Sequence, residues 1–345
     1  MNRWSWYWGG LVAGVRAVTP RRVQQIFRVG GSYLLARGRI GWFPPRYPLF
    51  LGVEPTTACN LRCPHCISGL RAFTRPTGRL DPVLFEELVE ALHPYIWGVL
   101  FYFQGEPLLH PEIGRLIGSA SRYKLLTSLS TNGHFLTEDR CYDLIMAGLT
   151  HIRISIDGMT AETYARYRRE GELETVQAGT ARLLEIRQAL RSRFPLVEVQ
   201  FIAFRHNVKE IPAFRRWADE MGVDAARIKT AQLLELTPDA YEEWIPKERR
   251  QSRYEMSAGE APRLRGKVPN RCWRMWRAAE VTWDGQVLPC CFDKDAQHTF
   301  GSLKKTSFAA IWKGEKVERF RRQVFQRRES IDICRNCTEG IRTWL

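Results

Sequence analysis

Three cysteines share one short stretch, Cys59-Asn60-Leu61-Arg62-Cys63-Pro64-His65-Cys66. The stretch follows Pro48 to Val53, which reads as a strand. Three thiolates on one loop can grip one face of an iron–sulfur cubane. A fully protein-bound cluster takes four protein ligands, so one iron is left open, and an open coordination position is what chemistry at a metal requires. Structural zinc is the competing reading. Zinc loops pair C-x2-C with a second pair close by, whereas the next cysteine after Cys66 is Cys141.

The chain has nine cysteines, an odd number. Cys141 sits in the apolar helical stretch Cys141-Tyr142-Asp143-Leu144-Ile145-Met146 and reads as core. The other five, Cys272, Cys290, Cys291, Cys334 and Cys337, gather near the C-terminus. A secreted disulfide framework would be short, even-numbered and preceded by a signal peptide. The Trp-rich start, Met1 to Gly10, has no apolar core leading to a cleavage site. The cysteines therefore predict metal ligation in a reducing compartment, with a cytoplasmic location expected.

The elements that must position these groups alternate. Strands are expected at 48–53, 97–103, 125–130, 152–156, 197–204 and 226–230, with helices between them. Such alternation implies parallel βαβ units. The strands read as fully apolar, which predicts a sheet covered on both faces. An open sheet and a partial barrel both satisfy this pattern. Reactive residues in such folds follow strand ends, and Glu106, Asn132 and Asp157 do so here, as the cysteine loop does. Residues 233–270 are polar and proline-punctuated and read as a long loop or excursion. Residues 271–345 form a smaller module, with a hairpin turning at Asp284-Gly285 and one helix from about Ser307 to Arg327.

Composition sets outer bounds. The chain has 345 residues, 44% hydrophobic and 26% charged, with 52 Lys+Arg against 37 Asp+Glu and a net charge of +15. This is a globular composition, long enough to build a core without disulfide staples. The absence of an apolar run of about 18 residues excludes a simple membrane span. The absence of a fixed period excludes repeat arrays. The charge is uneven: eight arginines precede Glu54, the first acidic residue. In this leader, residues 1–47, Thr19-Pro20 marks a helix start, and Val23, Ile26, Phe27 and Leu34 share a face that Arg21, Arg22, Arg28 and Arg37 largely avoid. The first expectation is a helix packed by that face on the following domain, with its arginines exposed. The alternative is a peripheral contact with an anionic membrane, with Trp4, Trp6 and Trp8 at headgroup level. Basic charge also permits RNA, but no basic-aromatic recognition motif accompanies it, so nucleic acid is not expected.

The cysteine loop and its companions resemble the radical S-adenosylmethionine (SAM) superfamily. Gln104-Gly105-Glu106-Pro107 is similar to that family's Gly-Glu motif, with Gln104 in place of its usual first glycine. Thr131-Asn132-Gly133 ends the next strand as expected. Ser155-Ile156-Asp157-Gly158 and Tyr167-Arg168 match one large branch. The resemblance spans about residues 48–232 and implies a partial (β/α)6 barrel. It implies SAM held on a three-cysteine [4Fe–4S] cluster, Glu106 and its backbone at the methionine amino group, Arg168 at its carboxylate and His65 near the adenine. Reduction by a flavodoxin- or ferredoxin-type donor would then give a 5′-deoxyadenosyl radical. Each residue also has a plainer role open to it: Glu106 as a helix-cap acid, Asp157 as a turn former, Arg168 as a solvated charge.

Cys272-x12-Gly285-x4-Cys290 followed by Cys334-Arg335-Asn336-Cys337 resembles the start of the SPASM module. With no further cysteines downstream, it is similar to the truncated twitch form. That implies one auxiliary [4Fe–4S] cluster on Cys272, Cys290, Cys334 and Cys337, with Cys291 the alternative to Cys290. Four thiolates would also suit zinc. With 47 residues ahead of the first strand, no separate leader-binding domain is expected. Twitch-type relatives include cyclitol-oxidising dehydrogenases and a molybdopterin cyclase branch that uses a terminal Gly-Gly, which this chain lacks. The expectation is therefore an oxidoreductase-type radical enzyme acting on a small polyhydroxylated or anionic molecule, with the auxiliary cluster as electron acceptor. The alternatives are a peptide or protein maturase and a non-catalytic electron carrier.

Overall fold

The structure, a computed structural model, describes residues 3–257, 259–339 and 341, and for residues 3–8 the backbone alone, so the expectation for Trp4, Trp6 and Trp8 lies outside the described residues. Two helices, α1 (Arg3–Arg16) and α2 (Pro20–Arg37), precede the first strand. The alternating segment follows as β1 (Phe50–Val53), α3 (Ile67–Leu70), α4 (Pro82–Leu92), β2 (Gly98–Phe101), α5 (Ile113–Ser121), β3 (Leu126–Thr131), α6 (Glu138–Met146), β4 (His151–Ser155), α7 (Ala161–Tyr167), α8 (Leu173–Ala189), β5 (Leu196–Ala203), α9 (Ile211–Met221) and β6 (Ala225–Thr230). The helix starts follow local chemistry. Thr19, Asp81, Thr137 and Thr160 each accept a backbone N–H from the first turn, a cap worth about 1 kcal/mol each.

β1 to β6 pair in parallel and in chain order, from Phe50 against Gly98 to Ala203 against Thr230. β6 forms the far edge and does not close onto β1, so the barrel is partial. Leu51, Val53, Phe101, Leu129, Ile154 and Phe201 face a core built with Phe85, Leu116, Leu144, Val176 and Phe214 of the surrounding helices. Burying each such side chain contributes about 1.5–3 kcal/mol. The strands are less uniformly apolar than expected. Ser128, Arg153, Glu198, Gln200 and Arg227 occupy the alternate positions and build a polar lumen.

The stretch expected to be a loop is structured. It holds α10 (Pro238–Trp244), capped by Thr237, and the two-stranded pair β7 (Tyr254–Glu255) and β8 (Arg263–Leu264). The C-terminal module adds α11 (Arg274–Arg277), β9 (Ala278–Val281), β10 (Gln286–Leu288), β11 (Gly301–Ser302), α12 (Phe308–Trp312), α13 (Glu315–Arg327) and α14 (Asp332–Arg335). The single helix expected over 307–327 is two, because Gly314 leaves helical geometry at the N-cap of α13. The module is continuous with the barrel: β9 lies parallel to β1, Gly52 opposite Glu280, and extends the sheet to nine strands. Gly52 is needed there, since a Cβ would overlap the Glu280 carboxylate.

The leader reverses the expected orientation. α2 faces the protein with Arg22, Gln25, Val29, Ser32 and Ala36, while Phe27 and Leu34 are exposed. Each inward polar group finds a partner. Arg22 donates to the carbonyls of His93 (2.9 Å), Tyr123 (2.8 Å) and Ala17 (2.8 Å). Gln25 donates to Tyr47 O, and Ser32 Oγ accepts from Trp276 Nε1 at 2.9 Å. α1 covers the floor of the barrel, with Gly9 against Leu196 at the start of β5. A cavity of about 330 Å³ remains between Gly10 and Ala13 and the lumen side chains Ser128, Arg153 and Glu198.

Candidate active site

The cysteine loop leaves β1 and is fixed from several sides. Ala58 N–H bonds Thr56 Oγ1, whose own hydroxyl donates to Gly78 O. Arg62 N–H reaches Arg169 O at 3.0 Å, tying the loop to the segment after α7. Cys66 stands at the start of α3, and Gly69 of that helix lies directly on the Cys63 backbone. Burial pushes the Cys59 thiol up to about 12 and raises that of Cys63, so a metal must displace their protons. N–H groups converge on the sulfurs: Leu61 N–H on Cys59 Sγ at 3.4 Å and Arg168 Nη1 on Cys63 Sγ at 3.8 Å. Such donors stabilise and tune cluster-bound thiolates. The donor set fits an iron–sulfur cluster on Cys59, Cys63 and Cys66.

The strand-end residues converge on this loop. Gly105 takes a positive φ of 71° where its backbone crosses Thr56 and Ala58, and a side chain there would strike both carbonyls. Glu106 N–H bonds Ala58 O at 2.8 Å, and Gly105 N–H bonds Ser68 Oγ at 2.9 Å. The Glu106 carboxylate accepts from Leu108 N–H, Thr131 Oγ1 and Asn132 N–H at 2.7–3.0 Å. It thus caps the turn begun by Pro107 and locks the ends of β2 and β3 together. Asn132 donates to Asn60 Oδ1 at 2.7 Å and accepts from His134 N–H.

Asp157 and Arg168 form one buried pair. Arg168 Nε and Nη2 meet Asp157 Oδ2 at 2.7 and 2.6 Å, and Ile202 N–H donates to Oδ1 at 2.6 Å. Arg168 is therefore no solvated charge; it links the end of β4 to Cys63. Ser155 lies on the same strand end, opposite Gln200, whose Oε1 is buried without a hydrogen-bond partner among the described residues. His65 stands edge-on to Trp244 with ring centroids 5.1 Å apart. Tyr167 and Phe204, 4.2 Å apart, complete an aromatic wall beside the loop. Sequence reading missed Trp244, although Thr237-Pro238-Asp239 is a recognisable helix start for α10.

The second cysteine group lies across the sheet. The Cys290 thiol is within electrostatic reach of Cys272 and the Cys291 thiol within reach of Cys337, with Arg274 beside both. Arg328 Nη2 and Glu339 N–H both donate to Cys337 Sγ, at 3.1 and 3.4 Å. Between the two groups, Arg274 Nη2 bridges Glu280 Oε1 at 2.9 Å and the Tyr102 hydroxyl at 3.4 Å. Tyr102, Arg274, Glu280 and Arg328 carried no motif that sequence reading could use.

A six-strand partial barrel with a three-cysteine loop at one strand end, joined to a second cysteine module, defines a class. Residues 53–192 match the radical SAM superfamily, and residues 272–338 match the SPASM iron–sulfur cluster-binding domain. The chain thus carries a radical SAM domain and a SPASM domain. It is an enzyme that uses SAM and a [4Fe–4S] cluster, with further iron–sulfur binding in its SPASM domain. Among its relatives, the tungsten-containing aldehyde ferredoxin oxidoreductase cofactor-modifying protein of Pyrococcus furiosus is 24% identical, covering 79% of this chain and 83% of that one. The PqqA peptide cyclase of Gluconobacter oxydans is 28% identical, covering 87% and 85%. The fold is shared with SuiB of Streptococcus suis bound to S-adenosylmethionine, at a TM-score of 0.63 and 13% identity over 88% of this chain and 74% of that one.

Proposed function

We propose that this enzyme oxidises a small anionic, polyhydroxylated molecule held in the barrel lumen. The observation that carries this reading is the charge of that lumen. Arg153, Arg227 and Arg253 gather around Lys229, with the Glu198 carboxylate also within reach. Arg153 and Arg227 meet that carboxylate at 2.5 and 2.7 Å, so the cationic excess resides with Lys229 and Arg253. A carboxylate or phosphate entering from the strand ends meets complementary charge. Cys59, Cys63 and Cys66 would hold the SAM-binding cluster, and Cys272, Cys290, Cys334 and Cys337 the auxiliary one. When bound, the first group with SAM supplies a 5′-deoxyadenosyl radical and the second accepts one electron from the substrate radical. The substrate would thus lose one hydrogen atom, one electron and one proton.

The chain's own residues orient and enclose. The Asp157–Arg168 pair, Asn132 and the Gly105-Glu106-Pro107 backbone would position the methionine part of SAM. His65 and the Trp244 wall offer aromatic surface to its adenine, and Ser155 faces the lumen. A flavodoxin- or ferredoxin-type protein would supply electrons, and the location would be cytoplasmic.

The relative named as a peptide cyclase supports a second reading, in which the anionic group belongs to a peptide. One experiment separates them. Reconstituted enzyme with a strong reductant is assayed anaerobically for 5′-deoxyadenosine, using candidate metabolites and peptides drawn from neighbouring genes. Stimulation by an anionic metabolite, lost in its neutral analogue and reduced by Lys229→Met, is the expected result. Stimulation by peptides alone would overturn the small-molecule reading.

A further inference from the structure

Eight of the thirteen large apolar side chains exposed among the described residues lie before residue 44. They form a pattern. Leu11, Val15 and Val18 follow one another at helical spacing along the outer side of α1 and its end, while Ala13 and Ala17 are buried. On α2, Phe27 and Leu34 are 74% and 62% exposed, two helical turns apart. The loop beyond α2 adds Ile40 and Phe43, 78% and 67% exposed. At 100° per residue, Arg21 and Arg28 flank the Phe27–Leu34 ridge on one side and Arg37 on the other, and all three are exposed. Apart from Val29, the residues that both helices bury are small or polar, while they present large apolar ones, framed by arginine with no acid before Glu54.

We infer that this face rests on the surface of an anionic lipid bilayer. An apolar ridge bordered by arginines is the surface that enters a headgroup layer, with anionic lipids pairing the cations and acyl chains receiving the ridge. The charge selects the occupant, since a surface with arginines and no acid attracts a dense negative field. Among the described residues no helix is long and apolar enough to cross a membrane, so α1 and α2 lie in the interface.

The fold then fixes the orientation. α1 covers the strand starts, at Leu196 of β5. Cys59, Asn132 and Asp157 follow the strand ends, about 25 Å away along the eight residues of β5. The mouth of the active site points away from the bilayer. The membrane holds the enzyme in place, and its substrate arrives from water rather than from the lipid.

The test uses the full-length, cluster-loaded chain in anaerobic co-sedimentation. Vesicles are phosphatidylcholine alone or phosphatidylcholine doped with phosphatidylglycerol. Binding to the anionic vesicles should exceed that to the neutral ones by about ten-fold or more and weaken with added salt. Phe27→Gln/Leu34→Gln should lower it by a similar factor, whereas Met146→Gln, on the equally exposed Met146 of α6, should not. Unchanged SAM cleavage in both variants controls for folding. Equal sedimentation with both vesicle types, or equal loss in the Met146 variant, would overturn the inference. So would a dimer that Phe27→Gln/Leu34→Gln dissolves in protein that binds no vesicles, because the face would then be an interface between copies.

Discussion

Arg328 turns its guanidinium inward and donates from Nη2 to Cys337 Sγ at 3.1 Å. Its Nη1 holds the carbonyls of Arg271 and Glu339 at 2.9 and 2.8 Å. One buried arginine thus connects the segment before Cys272, the end of α13 and the C-x2-C pair. Arg328→Met would leave these carbonyls unpaired, at about 1–3 kcal/mol each. Losing a cation and a hydrogen bond beside the sulfur would also make the auxiliary cluster harder to reduce. The expected outcome is a lower melting temperature and a more negative auxiliary potential by redox titration. Arg328→Lys keeps the charge without the fork and should restore the potential only in part. An unchanged potential in the Met variant would separate Arg328 from the cluster.

The Asp157–Arg168 pair predicts a split between stability and SAM binding. Arg168→Met leaves a carboxylate buried without its cation, a change that costs about 3–5 kcal/mol when the pair is fully enclosed. Asp157→Asn/Arg168→Met removes both charges and should recover much of that loss. SAM affinity, read by equilibrium dialysis, should fall in both variants, because neither offers a cation to the methionine carboxylate. Full affinity in the double variant would remove Arg168 from the SAM site.

Much of this was legible in the sequence because local chemistry dictated it. The C-x3-C-x2-C spacing and the Asp81 and Thr137 caps are each determined within a few residues. The partners that turn motifs into a site were not. Trp244 lies 179 positions from His65, and Arg328 becomes a ligand-positioning group only once α13 folds back onto Pro269–Arg271. The inversion of α2 had the same origin. Its periodicity located one apolar face correctly, but which face turns inward depended on carbonyls at His93 and Tyr123 that only tertiary packing brings to Arg22. The polar lumen was missed because Arg153 and Arg227 look like surface charges until Glu198 stands between them.

The cysteine assignments predict iron content. Reconstituted protein should hold about eight irons from two cubanes, and Cys59→Ala/Cys63→Ala/Cys66→Ala should keep about four. Cys290→Ser should cost the auxiliary cluster, while Cys291→Ser should retain it, since the Gly285-x4-Cys290 spacing places Cys290 at the ligand position. Iron analysis with electron paramagnetic resonance checks both. Zinc at the C-terminal site after reconstitution would replace the auxiliary cluster with a structural metal.

Lys229 supplies a pH signature that needs no substrate. Crowding by the surrounding barrel wall and the neighbouring Arg153, Arg227 and Arg253 brings its ammonium down to about 8, although the side chain still reaches water from the edge strand β6. In the unfolded chain the same group keeps its proton to about 10.4. Between these values the unfolded state binds more protons, so folding stability should rise with pH across that window on this group's account. Below about 8 both states are protonated and the slope from Lys229 vanishes. Lys229→Met should remove this rise and stabilise the protein at neutral pH, where the wild-type charge is held among like charges. Urea unfolding of both proteins across the window measures the difference. For an anionic substrate the sign reverses: affinity should fall as Lys229 loses its proton above about 8, and the Met variant should show weak affinity with little pH dependence. Parallel stability curves for the two proteins from neutral pH upward would place Lys229 in ordinary solvent and take away the charge on which the lumen's anion preference depends.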